Sequence, residues 1–126
     1  MTLIRTSYSS GYPFEDAYGY ARAVRAGNQV FISGTTARGP HLDGDAYTQM
    51  TAAIATVAAA LVRPVRNCVT SYGPLSMFSI WQMSTKSRAH EETFGASRPA
   101  STLVQVAALT PASARVEIEV TAVIHD

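Results

Sequence analysis

The chain of 126 residues is long enough to bury one hydrophobic core, and we expect residues 1–126 to form a single domain. With 47% apolar and 15% charged residues, its composition is that of a globular protein rather than a disordered one. A formal net charge of +1 gives no electrostatic basis for binding nucleic acid or a membrane surface, so we expect neither partner.

Cysteine and histidine usage bears on location and metal binding. The single cysteine, Cys68, excludes an intrachain disulfide and is typical of a reducing cytoplasm. His41, His90 and His125 have no metal-ligand spacing among themselves or with Cys68, so we predict no metal site and no cofactor. No apolar run approaches the ~20 residues of a membrane-spanning helix. The N-terminus also lacks a secretory signal pattern, and we expect a cytoplasmic protein.

The N-terminal third of the chain is predicted to contain strands and one loop. Residues 2–8 form a short strand, and the Gly, Pro and Ser of residues 9–16 are typical of a loop. Residues 18–26 and 29–35 predict the two strands of a hairpin around Gly27-Asn28, because glycine accepts the positive φ of a tight turn.

The middle of the chain predicts one long helix and one short helix. After a loop over residues 37–44, Asp45 is a favourable N-cap, and residues 45–62 form an amphipathic helix. Its apolar side chains recur at steps of three or four, at Tyr47, Met50, Ile54, Val57 and Leu61. The second helix is predicted to end at Phe94, with Gly95 as its C-terminal cap.

The C-terminal stretch predicts a pair of strands. Apolar side chains of the second strand share one face, at Val116, Ile118, Val120, Ala122 and Ile124. Glu117 and Glu119 lie on the other face, where the simplest interpretation is the solvated surface of an edge strand. Residues 102–109 are apolar on both sides apart from Gln105, which predicts a central strand covered on both faces. The element order favours an α+β fold, with two helices on one face of a mostly antiparallel sheet.

Three passages carry a resemblance to a known family: YARAVRAGNQVFISGTT, RAHEETFG, and RPASTLVQVAAL followed by RVEIEVTAVI. In this order and spacing, the chain resembles the reactive intermediate deaminase family (Rid, also called YjgF-like) over most of its length. The resemblance implies a chorismate-mutase-like α+β protomer. It also implies a homotrimer with three clefts between neighbouring subunits, each taking a small-molecule ligand.

The resemblance also implies site residues, with one departure from the family pattern. The cleft glutamate of the family matches Glu117, its N-terminal tyrosine matches Tyr20, and its strand-end serine matches Ser33, which precedes Gly34. The arginine that holds the substrate carboxylate in the deaminase branch is replaced by Ser101, and Leu103 stands where cysteine is common. Arg98 and Arg22 are the alternatives for the missing guanidinium, although neither occupies the family position.

Two functions follow from this site. The first is hydrolysis of reactive enamines or imines without a cofactor, with Glu117 orienting water or accepting its proton. The second is a trimer that binds a small metabolite without turning it over. A structural role is an alternative for two of these residues, because Tyr20 is also explained as a packed aromatic and Ser33 as a serine satisfied by the strand end.

Residues 64–87 fit neither the family pattern nor the surrounding composition. Pro64 and Gly73-Pro74 interrupt the place of a central strand. We hypothesise that this segment is frame-shifted. When it is back-translated with GC-rich codons, reading from the third base of Arg63 restores an Ala-Gly-Ala turn and a strand, DVVRAAQYVLD, at unchanged length. The alternative is a divergent loop and strand, with SMFSIWQM as the strand. No functional role is assigned within the segment.

Tryptophan fluorescence tests the version of this hypothesis in which only the sequence record is shifted. Trp81 is the only tryptophan. The purified protein should then show no tryptophan emission and an intact mass that differs from this sequence. Tryptophan emission together with the expected mass would support the divergent strand.

Overall fold

The computed structural model describes residues 2–66, 75–83 and 88–125, and it contains one six-stranded sheet. The strands are β1 (Arg5–Tyr8), β2 (Ala23–Ala26), β3 (Gln29–Thr35), β4 (Leu75–Met83), β5 (Ala100–Gln105) and β6 (Val116–Ile124). Their order across the sheet is β1-β2-β3-β6-β4-β5. Every neighbouring pair is antiparallel except β4 and β5, which confirms a mostly antiparallel sheet.

Strand β6 is the centre of the sheet, paired with β3 on one side and β4 on the other. The alternation predicted from sequence is confirmed, because Val116, Ile118, Val120 and Ala122 are all fully buried. Since β6 is a central strand, the edge-strand interpretation of Glu117 and Glu119 is wrong. Their face of the sheet lies opposite the buried apolar face.

Helix α2 (Ala46–Arg66) packs on the sheet and supplies the other half of the core. Its buried face carries Met50, Ala53 and Val57, which join the buried side chains of β3 and β6 in one cluster. The predicted N-cap is confirmed, because the Thr48 backbone N–H donates to Asp45 Oδ1 at 2.8 Å. The helix continues past the predicted end and contains Pro64, which therefore does not interrupt a strand.

By length and composition, residues Ala46–Val65 of α2 are apolar enough to cross a membrane, contrary to the expectation that no segment approaches this limit. Alanine accounts for the difference, since it raises mean hydropathy without forming a long apolar run. The helix packs its buried face against the sheet, as the core helix of a globular domain does.

A short helix, α3 (Ala89–Phe94), ends where the sequence predicted. Gly95 follows it, and the Gly95 N–H donates to the Glu91 carbonyl at 2.8 Å. Ala89 and Phe94 are buried in the core cluster, and α3 contacts α2. Together with the sheet, these helices confirm the α+β class.

The N-terminal prediction needs two corrections. Residues Pro13–Tyr18 form a helix, α1, where a loop and the start of a strand were expected, so the second strand begins only at Ala23. Pro13 at the first helical position and the acidic residues that follow it are a helix-start signal. The expected hairpin is confirmed, with Gly27 at φ +62°. The predicted loop at 37–44 contains a 3-10 helix, Gly39–Asp43.

The prediction for β5 is also wrong. The strand spans Ala100–Gln105 instead of 102–109, and it lies at the edge of the sheet. All six of its residues are exposed. Leu103 is 54% exposed and Val104 38% exposed, so neither face is covered within this chain. The apolar pattern was real, but nothing in the described part of the protomer buries it.

The atypical segment is described only in part. Strand β4 contains the SMFSIWQM run that the divergent-strand alternative proposed. Residues 67–74, which include Cys68, and residues 84–87 lie outside the described residues. The frame-shift hypothesis stays a prediction.

One buried amide positions the loops near the start of β6. Gln49 of α2 is fully buried, and its Nε2 donates to the carbonyls of Leu42 at 2.9 Å and Ser113 at 3.1 Å. Its Oε1 accepts the Arg115 backbone N–H at 2.7 Å. Gln49 therefore ties the 3-10 segment and the β5–β6 connection to the core helix.

Candidate functional site

A small cavity lies where β3 ends and β6 begins, with a volume of about 80 Å³. We call it the Glu117 cavity. It is lined by Tyr12, Phe14, Tyr20, Arg22, Gly34, Thr35, Thr36, Arg38, Thr110, Pro111 and Glu117. The cavity brings two arginines and one carboxylate together among aromatic side chains, a combination suited to binding a small polar molecule.

Glu117 lies directly against Gly34. The register between β3 and β6 shifts between Ile32 and Thr35, which takes Ser33 and Gly34 out of the regular ladder. A Cβ added at Gly34 would lie 2.5 Å from Glu117 Oε1. A side chain at position 34 would displace the carboxylate, so glycine is what allows Glu117 to occupy this place.

The Glu117 carboxyl is half-buried, and its protonation is shifted. Burial raises its pKa, the charge of nearby Glu119 raises it further, and the Arg22 guanidinium partly offsets both effects. No donor in the described ranges forms a hydrogen bond with this carboxylate. A desolvated carboxyl with free oxygens is suited to exchanging a proton with a bound molecule.

Arg22 is a buried charge that organises the end of β3. It is 3% exposed, and its Nη1 donates to the Gly34 carbonyl at 3.0 Å and to Thr35 Oγ1 at 2.7 Å. Its Nη2 donates to Tyr20 Oη at 3.1 Å. The Glu15 carboxylate lies 3.7 Å from Arg22 Nε and supplies the compensating charge.

Glu15 itself is held ionised by the loop before α1. It accepts hydrogen bonds from the Ser9 hydroxyl at 3.1 Å, from the Ser10 backbone N–H at 2.9 Å and from the Ser10 hydroxyl. Burial opposes ionisation, but these hydrogen bonds and Arg22 outweigh it and lower the pKa of Glu15. Because Glu15 is paired with Arg22 and accepts these hydrogen bonds, Glu117 is the less well satisfied of the two carboxylates.

Sequence reasoning missed Arg38 and Tyr12. The Arg38 guanidinium carbon lies 3.7 Å from the centroid of the Tyr12 ring, within the range of a cation–π contact. Burial lowers the pKa of Arg38, and the positive charge of Arg22 lowers it further. A signal was present, because Arg38 follows the strand-end Ser33-Gly34 by only four residues.

The predicted site residues separate into three groups. Glu117, Tyr20 and Gly34 line one cavity. The Ser33 hydroxyl donates to the Ala21 carbonyl at 2.7 Å, which matches the alternative of a serine satisfied by the strand end. Ser101 and Leu103 are not among the lining residues and are exposed on β5.

The two arginines proposed as substitutes are also separated. Arg22 lines the Glu117 cavity. Arg98 is exposed and lies in a different surface depression beside α3, with His90, Phe94 and Pro99. Of these two arginines, only Arg22 therefore lies with Glu117 in the same protomer.

Comparison with known proteins decides the family. A family model described as endoribonuclease L-PSP matches residues 13–124. The chain belongs to this family, which is also known as YjgF/Rid. The match spans both the strand-end turn and the β6 glutamate, so the YjgF/Rid assignment rests on the same elements that build the cavity.

Individual relatives agree with this assignment. An uncharacterized protein of Streptomyces coelicolor is 34% identical over 119 residues, covering 90% of this chain and 87% of the relative. A YjgF/YER057c/UK114 family member from Mycobacterium tuberculosis is 32% identical, with a TM-score of 0.76 over 95% of this chain and 99% of that one. A putative endoribonuclease from Thermotoga maritima, 21% identical, has a TM-score of 0.63 over 95% and 93% and bears on the fold alone. The expected YjgF/Rid fold is confirmed.

The raised pKa of Glu117 predicts a loss of stability as pH rises. A carboxyl with a higher pKa in the folded state binds its proton more tightly there. The free energy of unfolding therefore falls as pH rises from the ordinary glutamate pKa through the raised folded value. Glu117→Gln removes this contribution, so across that window the variant should gain stability relative to the unsubstituted protein. Chemical denaturation at several pH values measures the difference, and parallel pH profiles would contradict the expectation.

Proposed function

We propose that this protein hydrolyses small reactive enamines or imines without a cofactor, with Glu117 as the acid/base group. The observation that carries the proposal is the half-buried Glu117 carboxylate, whose oxygens have no hydrogen-bond donor among the described residues and face a cavity containing two guanidinium groups. The family assignment supports it, because the resemblance to the deaminase branch matches Glu117, Tyr20 and Ser33, and Glu117 and Tyr20 line this cavity.

The reaction needs only water and a group that exchanges protons. The imine nitrogen takes a proton from solvent, and Glu117 accepts a proton from water as the water oxygen bonds to the carbon of the C=N group, which gives a neutral carbinolamine. Glu117 then returns its proton to the nitrogen, the carbon–nitrogen bond breaks, and the hydroxyl proton is released to solvent as the carbonyl forms. The products are a carbonyl compound and ammonia. A carboxyl with a raised pKa suits both transfers.

The volume of the Glu117 cavity supports completion of the site by a neighbouring subunit. About 80 Å³ is well below the size of ordinary ligand pockets, which begin at roughly 300 Å³. The edge strand β5 exposes Leu103 and Val104, and no described residue of the protomer covers them. We assign both observations to a homotrimer in which cavities lie between subunits, with Ser101 and Leu103 supplied from the adjoining chain. The single cysteine favours a cytoplasmic location.

The assembly is tested by light scattering on the purified protein at micromolar concentration. We expect a mass three times that of the 13.5 kDa chain. Polar substitution on β5, as in Leu103→Glu, should shift the mass toward that of the protomer, because a charge would then be buried at the interface. If the unsubstituted protein is a monomer, the proposal of a cleft between subunits is wrong.

The role of Glu117 is tested by turnover of 2-iminopropionate generated in situ. Glu117→Gln should lower the rate by about 100- to 10,000-fold, the usual range for losing a general acid/base. Glu119→Gln is the matched control, because it makes the same change at an exposed position two residues along β6. It should retain the rate within a few-fold.

A non-catalytic metabolite-binding trimer is the second candidate. The observation that favours it is Ser101 at the position of the arginine in the deaminase branch. If the unsubstituted protein does not accelerate hydrolysis above buffer, this candidate replaces the first. If Glu117→Gln fully retains the rate, in contrast, the protein is still a hydrolase but Glu117 is not its acid/base group.

A further inference from the structure

We propose that Arg38 binds the anionic group of the ligand in the Glu117 cavity, so that the ligands of this protein are small carboxylates. The inference rests on the site of the proposed function but concerns binding alone. It assigns the anchor to a residue of the same subunit as Glu117, at a position outside β5.

The Arg38 guanidinium is positioned but has unused donors. It is half-buried and stacked on the Tyr12 ring at 3.7 Å from the ring centroid. Across residues 2–66, 75–83 and 88–125, no acceptor forms a hydrogen bond with its side-chain N–H groups. Guanidinium groups that are held in place and lack an acceptor are suited to bidentate binding of a carboxylate.

Arg22 does not fill this role, although it lines the same cavity. Its Nη atoms already donate to Gly34, Thr35 and Tyr20. Arg22 acts instead through its charge, because it lies close enough to Arg38 to disfavour the positive charge of Arg38. An anion bound at Arg38 offsets the repulsion between the two guanidinium groups.

The remaining arginine candidates are less suitable. Arg98 lies in the depression beside α3 and is not among the residues that line the Glu117 cavity. Ser101 has no positive charge. Arg38 therefore accounts for recognition of an anion without the β5 arginine of the deaminase branch.

Arg38 also borders a second cavity, which provides the competing location. This groove of about 500 Å³ lies between β1 and α2 and is lined by Tyr8, Arg22, Arg38 and Arg63, with small side chains of α2. Arg63 lines the groove but not the Glu117 cavity, and Tyr20 lines the cavity but not the groove. Substitution of Arg63 or Tyr20 therefore distinguishes binding in the groove from binding in the Glu117 cavity.

The experiment is calorimetric titration of the full chain with pyruvate and with pyruvamide, its neutral counterpart. We expect pyruvate to bind at least several-fold more tightly than pyruvamide. Arg38→Ala should weaken pyruvate binding about 10- to 100-fold, as expected for loss of a charge-assisted pair. Arg38→Lys should weaken it less, because the charge remains while the planar fork is lost. Arg63→Ala should leave it unchanged, and Tyr20→Ala should weaken it.

Three results would overturn the proposal. They are equal pyruvate affinity in Arg38→Ala and the unsubstituted protein, loss of binding in Arg63→Ala but not in Tyr20→Ala, and no pyruvate binding to the unsubstituted protein. Thermal midpoints of the variants identify any that fail to fold, in which case Arg38→Lys carries the comparison. Pyruvate binding that depends on Arg38, without imine turnover, would reject the hydrolase and retain Arg38 as the anchor. Imine turnover together with unaltered pyruvate binding in Arg38→Ala would retain the hydrolase and reject Arg38 as the anchor.

Discussion

The buried guanidinium of Arg22 is the constraint on which the site depends. A charge that is 3% exposed is tolerated only because backbone carbonyls, a threonine hydroxyl, a tyrosine and the Glu15 carboxylate surround it. The same contacts fix the end of β3 and the place of Tyr20. Glu117 then sits against the only kind of residue, a glycine, that leaves room for its carboxylate. The contacts that compensate the buried charge of Arg22 are thus the same contacts that set the geometry of the site.

Local pattern predicted the elements whose partners lie in this chain. The period of two in β6 placed its buried face correctly, and the period of 3.6 in α2 did so for Met50 and Val57, because those faces meet each other. Tyr47, predicted on the same stripe of α2, is 40% exposed. Helix α1 was missed because glycine, proline and serine suggested a loop and outweighed the signal at Pro13. Strand β5 was misplaced because an apolar pattern indicates burial without saying what provides it.

The family resemblance, more than the local pattern, predicted the site. Strand alternation placed Glu117 opposite the buried face but indicated a solvated edge strand, and the resemblance supplied the site roles of Glu117 and Tyr20. Arg38 and Tyr12 come together through a contact between residues 26 positions apart, in segments with no periodic pattern. Ser101 and Leu103 show the converse, because a family position alone does not bring a side chain to the cavity of its own protomer.

The uncovered edge of the sheet has a consequence for handling and expression. An edge strand with apolar side chains on both faces presents free backbone groups to any other extended chain, and β5 has no charged residue to oppose such pairing. Newly made chains therefore carry an aggregation hazard until that edge is covered. Changes that leave this edge exposed without adding a charge to it should appear first as insoluble protein, because an added charge on an edge strand opposes pairing with other chains.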